Sequence, residues 1–141
     1  MEGKSTGDLT AELMSQSNLD SYLKDNQPFF NSLNVTERLA ALFGRHPMPK
    51  SALARKAGMS EVYLHQVLSG RRNPSRDRLL CLCLALGAAL EETQSLLQCA
   101  GYARLYPKIR RDAIISHGII HRTDLDEVND KLFAENEKTL F

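Results

Sequence analysis

The stretch from Lys50 to Ser75 constrains the fold of this chain more than any other part of the sequence. It contains two runs with apolar residues at helical spacing, about residues 50–57 and 61–69. Gly58 lies between them and can adopt the left-handed conformation that ends a helix, and Ser60 can cap the helix that follows. Two short helices joined by so tight a turn predict a helix-turn-helix motif.

The second of these helices has one apolar side and one polar side. Leu64, Val67 and Leu68 lie at positions i, i+3 and i+4, so they should point into a core. A helix in the DNA major groove reads base edges from its N-terminal half. Glutamine can bond both adenine edge groups, glutamate can accept from a cytosine amine, and valine can contact a thymine methyl. The candidate base-reading residues are therefore those on the other side, namely Glu61, Val62, His65 and Gln66.

Side chains suited to phosphate contacts surround this helix. Two arginines and an asparagine follow it directly, and a lysine opens the first helix, whose free amides also favour an anion. Hydroxyl groups of Ser and Tyr can bond phosphate oxygens as well. The candidate backbone-binding residues are Lys50, Ser51, Ser60, Tyr63, Arg71, Arg72 and Asn73.

Charge is distributed unevenly, although the 141-residue chain has a net charge of only +1. Residues 36–100 carry nine Lys/Arg against five Asp/Glu, residues 1–35 carry two against five, and residues 101–141 carry seven of each. A positive excess around the predicted motif is expected of a nucleic-acid footprint. Because this excess is modest, we expect a salt-sensitive affinity for nucleic acid.

The segment resembles the lambda-repressor-like (XRE-type) helix-turn-helix family over about residues 34–101. The matching residues are Ser51-Ala52-Leu53-Ala54, Ala57-Gly58, Ser60, Leu64, Gln66, Leu68-Ser69-Gly70-Arg71 and Asn73-Pro74-Ser75. The resemblance implies a compact five-helix fold in which the second helix of the motif is the recognition helix.

The whole chain is predicted to be all-α, with three parts. Residues 1–33 form an acidic N-terminal arm with short helices at about 8–16 and 19–24. Residues 34–101 form the helix-turn-helix domain, and residues 102–141 form a C-terminal helical hairpin packed on that core. Phe29 and Phe30 should dock on the protein's own body or on a partner, because an exposed aromatic pair needs an explanation.

The helices of the domain have recognisable ends. Asn34 and Glu37 form a capping-box pattern for a helix that should end at Gly44. Ser75 should cap a helix over residues 76–86, which is apolar almost all round and belongs at the centre of a bundle. A further helix is predicted over residues 90–100.

The tail repeats the preceding hairpin when it is shifted by 35 residues. Two independent amphipathic hairpins could produce the same few identities by coincidence. Either way, residues 109–120 and 124–135 should be helical, the second capped by Thr123 with Phe133 on its apolar side. Leu140 and Phe141 should pack down, as Leu105 and Tyr106 would. The matched pairs are Arg76-Asp77 with Arg111-Asp112, Leu79-Leu80 with Ile114-Ile115, Leu90-Glu91-Glu92 with Leu125-Asp126-Glu127, Leu97 with Leu132, and Leu105-Tyr106 with Leu140-Phe141.

No pattern in the sequence indicates catalysis, a cofactor or a metal. Cys81, Cys83 and Cys99 are an odd number and are interpreted as buried apolar residues rather than as a disulfide framework or a metal site. His117 and His121 are four residues apart but have no third ligand nearby, so an exposed pair is the preferred interpretation. The first twenty residues lack the apolar segment of a signal peptide, and the run 79–90 is too short to cross a bilayer. These features predict a cytoplasmic protein that is not an enzyme.

Two functions of different classes remain. The first is a sequence-specific regulator of transcription that binds double-stranded DNA and forms a homodimer through the C-terminal hairpin. The second is a protein-interaction adaptor, for example for a toxin or a signalling enzyme, that uses the arm, the two phenylalanines or the repeated hairpin. The modest charge and an apolar residue at Leu68 favour the second function.

Overall fold

The computed structural model describes residues 5–15, 18–25 and 34–141. Over these residues it contains α-helices and no β-strand, so the prediction of an all-α protein is confirmed. The chain divides into two compact units, with the boundary between residues 33 and 34. The helices are α1 (Thr6–Ser15), α2 (Leu19–Asp25), α3 (Asn34–Arg45), α4 (Lys50–Lys56), α5 (Glu61–Leu68), α6 (Arg76–Leu86), α7 (Leu90–Cys99), α8 (Arg110–Ile120) and α9 (Leu125–Ala134).

The first unit contains the two short helices predicted for the arm. The Asn18 side chain caps α2 by accepting a hydrogen bond from the Ser21 amide at 3.2 Å. Several large apolar side chains of this unit are exposed, and Met14 is 83% exposed. Phe29 and Phe30, for which docking was predicted, lie outside the described residues.

The second unit is built around α6. Seven of its residues, from Leu79 to Leu86, are buried, so its predicted central position is confirmed. Ser75 caps α6 by accepting from the Arg78 amide at 3.2 Å, and its C-cap, Gly87, adopts a left-handed conformation. One buried apolar cluster extends from Leu39 in α3 to Leu140 at the end of the chain. Side chains of this size contribute about 1.5–3 kcal/mol each when fully buried, which makes the cluster the main source of stability.

The end of α3 differs from the prediction. The helix continues through Gly44 to Arg45, where Gly44 was expected to stop it. A glycine ends a helix only if the following contacts favour a left-handed turn. Here Arg45 instead forms an ion pair with Glu92 of α7, and Pro47 follows one residue after the His46 bend.

The 35-residue repeat is present in the structure as two matched hairpins, α6–α7 and α8–α9. The left-handed residues Gly87 and Gly101 have left-handed counterparts in Arg122 and Asn136. The amide of Ala88 donates to the Cys83 carbonyl at 3.0 Å, and 35 residues later the amide of Thr123 donates to the Gly118 carbonyl at 2.9 Å. Equal loop geometry at equal spacing favours duplication over coincidence.

Two ion pairs join the hairpins reciprocally. Arg76 of α6 contacts Asp112 of α8, with 3.2 Å between Nη2 and Oδ2. Arg111 of α8 contacts Asp77 of α6, with 3.1 Å between Nη1 and Oδ1. Because each hairpin gives an arginine and an aspartate to the other, the contact has the form of an isologous interface between two copies of one surface.

The polar contacts at the end of each hairpin also match. The Gln94 side chain accepts from the Leu105 amide at 2.7 Å, and the Asn129 side chain accepts from the Leu140 amide at the same distance. Leu105 and Leu140 are both buried. The predicted burial of Leu140 is therefore confirmed.

Two predictions for the tail are wrong. The cap of α9 is Asp124, which accepts from the Glu127 amide at 3.0 Å, and not Thr123. Phe133 is 78% exposed although its spacing predicted an inward position, because the inward-facing side of α9 is narrower than the predicted apolar side. The rings of Tyr106 and Phe141 are about half exposed. The Phe141 ring nevertheless packs on Gly58, in agreement with the prediction that it packs down.

Candidate nucleic-acid interface

The turn between α4 and α5 forms as the sequence predicts. Gly58 has a φ of +67°, and the next amide, of Met59, donates back to the Ala54 carbonyl of α4 at 3.0 Å. Ser60 then caps α5 by accepting from the Tyr63 amide at 3.0 Å. These bonds satisfy groups that the helix ends would leave free, and so they fix where α5 begins.

Helix α5 has a buried apolar side and an outward-facing side, as its spacing predicted. Leu64 and Val67 are buried, and Leu68 is half-buried against the core. The four candidate base-reading residues lie on the other side: Glu61, Val62 and His65 are exposed, whereas Gln66 is half-buried. Val62 is 69% exposed, so its side chain is free to contact a ligand.

The residues after α5 form a compact polar turn. The Gln66 carbonyl accepts from the amides of both Arg71 and Arg72, at 2.9 and 3.2 Å. Arg71, Arg72 and Asn73 are all exposed, so their side chains can reach an external anion. At the start of α4, Lys50 and Ser51 are exposed as well.

Tyr63 lies between two arginines. The guanidinium carbon of Arg72 is 5.4 Å from the centre of its ring, and that of Arg78 is 5.3 Å away. Both distances are in the range of cation–π attraction. The half-buried ring thus brings a cation from the turn and a cation from α6 to the start of α5.

Two contacts at this surface were missed from the sequence. Arg78 donates to the Gly58 carbonyl at 3.1 Å, and the Phe141 ring lies on Gly58. Arg78 carries a weak local signal, since it stands in the first turn of α6 soon after the motif. Phe141 carries none, because its neighbour in space is 83 positions away in the sequence.

The three cysteines are buried, as the sequence predicted, and the paired histidines His117 and His121 are exposed. All three cysteines are also free. Burial raises the pKa of Cys81 to about 11 and that of Cys83 to about 12, so both thiols stay protonated at neutral pH. The rings of His117 and His121 lie 4.2 Å apart. Among the described residues, no group of three or more His, Cys, Asp or Glu side chains is arranged to hold a metal ion.

Within the described part of the chain, none of the helices has both the length and the apolar character needed to span a bilayer.

Helices α4 and α5 are joined by a tight turn, and α5 is capped, exposed on one side and followed by basic residues. These features place the segment in the helix-turn-helix class. Residues 47–96 match the family model of a helix-turn-helix domain, and that model belongs to the lambda-repressor-like, XRE-type group. The resemblance expected from the sequence is thereby confirmed for the central part of the chain. Domains of this kind are typical of DNA-binding regulators and are typically not enzymes. No curated protein and no solved structure has a significant match to the chain.

Proposed function

We propose that this chain is a cytoplasmic, sequence-specific regulator of transcription that inserts α5 into the major groove of double-stranded DNA. One observation carries the proposal: the start of α5 is exposed and capped, and a basic turn follows it. Glu61, Val62, His65 and Gln66 would read base edges.

A second set of residues in this proposal contacts the phosphates of the DNA backbone. The exposed positive side chains Arg71, Arg72 and Lys50 would contact the DNA backbone, together with Ser51, Ser60, Tyr63 and Asn73. Burial of Leu64 and Val67 supports the assignment of sides, because it leaves α5 only one side free for a ligand. The domain match supports DNA as that ligand.

The test is a titration of the purified protein into labelled random duplex DNA, followed by anisotropy at salt concentrations from roughly 50 to 200 mM. Several phosphate contacts should make the affinity fall about tenfold or more over this range. The double variant Arg71→Glu/Arg72→Glu should abolish binding. A matched control is Arg104→Glu/Lys108→Glu, which makes the same charge change at exposed positions between the hairpins. Equal losses in the two variants would argue for a nonspecific charge effect and against the proposal.

We further propose that the protein acts as a homodimer through the C-terminal hairpin. One recognition helix covers few base pairs, so a second copy is the usual source of specificity. Phe133 supports this proposal, since an aromatic ring that is 78% exposed on α9 is suited to an interface. Phe133→Glu should convert the dimer into a monomer in sedimentation. A wild-type protein that stays monomeric at high concentration and on DNA would contradict the dimer.

The adaptor is a second candidate. The exposed apolar residues Leu13, Met14 and Leu19 of the arm, together with Val62 on α5, favour it. Under this alternative, Arg71→Glu/Arg72→Glu would leave function in the cell unchanged, whereas loss of the arm would remove it. An absence of DNA binding at the lowest salt concentration would favour this candidate over the regulator.

A further inference from the structure

The ring of Phe141 packs directly on Gly58 in the turn of the helix-turn-helix. A Cβ atom built on Gly58 would lie 2.5 Å from the Phe141 Cε1 atom and 2.8 Å from the Cδ1 and Cζ atoms. Only a residue without a side chain leaves space for the ring at this distance. The last residue of the second hairpin therefore covers the residue that joins α4 to α5.

The segment that carries this ring is held by the second hairpin. Arg111 donates through Nε to the Lys138 carbonyl at 2.8 Å and through Nη2 to the Thr139 carbonyl at 3.2 Å. Leu140 is buried, and its amide donates to Asn129 of α9. The Thr139 hydroxyl donates to the Phe141 carbonyl at 2.8 Å. The ring thus projects from an anchored backbone.

The residue beneath the ring controls the start of α5. The Gly58 carbonyl accepts from Arg78, whose guanidinium also faces the Tyr63 ring. The amide after Gly58 is bonded to α4, and the next residue, Ser60, caps α5. A shift of Gly58 would therefore move the cap of α5 and the stacked arginine together.

The first hairpin offers a comparison at the matched position. Tyr106 corresponds to Phe141 by the 35-residue repeat and is exposed to a similar extent, 51% against 55%. Its backbone amide donates to Asp112 of the second hairpin. Tyr106 is therefore a matched aromatic position at which the same substitution can be made.

We propose that Phe141 is a positioning residue for the helix-turn-helix: by packing on Gly58 it couples the second hairpin to the orientation of α5. The coupling itself depends only on contacts within residues 34–141. Its effect on DNA rests on the proposed function. Loss of the ring should leave the core intact, because the buried neighbour Leu140 remains.

The coupling is tested first without DNA, by hydrogen exchange of the full chain. In Phe141→Ala, the amides of Met59 and Tyr63 should exchange about fivefold faster, since about half of a phenyl ring's burial is lost. The amide of Tyr102, which bonds Leu97 in the first hairpin, should be unchanged. Phe141→Leu should restore most of the protection, and Tyr106→Ala should leave the exchange at the turn unaltered.

The consequence for function is tested with the same variants on labelled duplex DNA. Phe141→Ala should lower the affinity several-fold with the salt dependence unchanged, because no phosphate contact is removed. Tyr106→Ala should bind as the wild type does. Unchanged exchange at the turn in Phe141→Ala would overturn the coupling. Faster exchange with wild-type affinity would overturn the positioning role.

Failure of the proposed function gives a different result. If the wild-type protein binds no DNA, the regulator and the effect of Phe141 on DNA binding both fall. Hydrogen exchange still decides whether Phe141 holds the turn. The two failures are therefore distinguishable.

Discussion

The guanidinium of Arg76 lies 3.2 Å from the carboxylate of Asp112, where the first hairpin meets the second. Asp112 is only 4% exposed and also accepts from the Tyr106 amide at 3.0 Å. The reversed pair, Arg111 with Asp77, is more open, because the Asp77 side chain is 24% exposed. One ion pair thus occurs twice in the chain in two different environments.

Removal of the arginine should therefore cost more at the buried pair. Arg76→Met leaves the Asp112 carboxylate buried with one backbone donor, and we expect a loss of about 3 kcal/mol in the free energy of unfolding. Arg111→Met should cost less, about 1 kcal/mol, since Asp77 can be hydrated. Urea denaturation of both variants gives the comparison. The variants are well matched, because each arginine also donates to two carbonyls of the segment after its hairpin. Equal losses would refute the role of burial.

The left-handed conformation of Arg122 offers a stabilising substitution. This residue has a φ of +53° at the position where the first hairpin has Gly87. A side chain in this conformation costs about 1–2 kcal/mol. Glycine avoids that cost but loses more backbone entropy on folding. The net effect of Arg122→Gly should be a free energy of unfolding higher by about 1 kcal/mol. Gly87→Ala should lower it by a similar amount. Thermal and urea unfolding measure both changes, and a destabilised Arg122→Gly would contradict the argument.

The proposed base reading by Gln66 predicts that its substitution removes sequence preference rather than general affinity. On a duplex selected from the random pool, Gln66→Ala should weaken binding by about 1–3 kcal/mol, with the effect confined to one base position. On unselected DNA it should have little effect. Lys50→Ala provides the contrast. Loss of its phosphate contact should weaken binding to all sequences and reduce the slope of log affinity against log salt concentration by about 1. A uniform effect of Gln66→Ala would exclude it from base reading.

Glu92 predicts a pH-dependent contribution to stability. The Ala89 amide and, to a lesser extent, Arg45 lower the pKa of this carboxyl below its usual value. A lowered folded-state pKa gives stability that is present above the unfolded-state pKa and lost as pH falls through the folded-state pKa. Glu92→Gln should thus be less stable than the wild type at pH 7, and the difference should disappear in acid.

The second hairpin provides a matched substitution. Glu127 is the counterpart of Glu92, but whereas Glu92 accepts from the amide of the residue before its helix, α9 is capped by the Asp124 side chain. Glu127→Gln should therefore cost less stability than Glu92→Gln at pH 7. A persistent difference for Glu92→Gln at low pH would show that its effect is not electrostatic.

Local signals in the sequence were sufficient for the helix-turn-helix. Gly58, Ser60 and the spacing of Leu64 and Val67 each specify a conformation or a side within a few residues. The same kind of signal identified the helices of the repeat. They did not identify the cap of α9, because Thr123 and Asp124 are adjacent and both residue types can cap a helix.

The remaining contacts depend on packing between distant segments. Phe133 has the helical spacing of an inward residue but is exposed. The side of α9 that packs on its neighbours carries Leu125, Val128 and Leu132 and does not extend to Phe133. Phe141 and Gly58 are near neighbours although 83 positions separate them in the sequence. The two-fold form of that pairing was not deducible from a faint repeat, since the sequence does not reveal which arginine meets which aspartate.

Because of the repeat, the chain contains two versions of one hairpin that can be compared position by position. In the first hairpin, α7 packs on α3 and α6 packs on α4, whereas the second hairpin packs on α6 and α7 of the first. The buried Leu82 and Leu96 of the first correspond to the exposed His117 and Lys131 of the second. Differences between paired positions thus record what support of the helix-turn-helix motif demands of a hairpin, free from differences in solvent, temperature or cellular history.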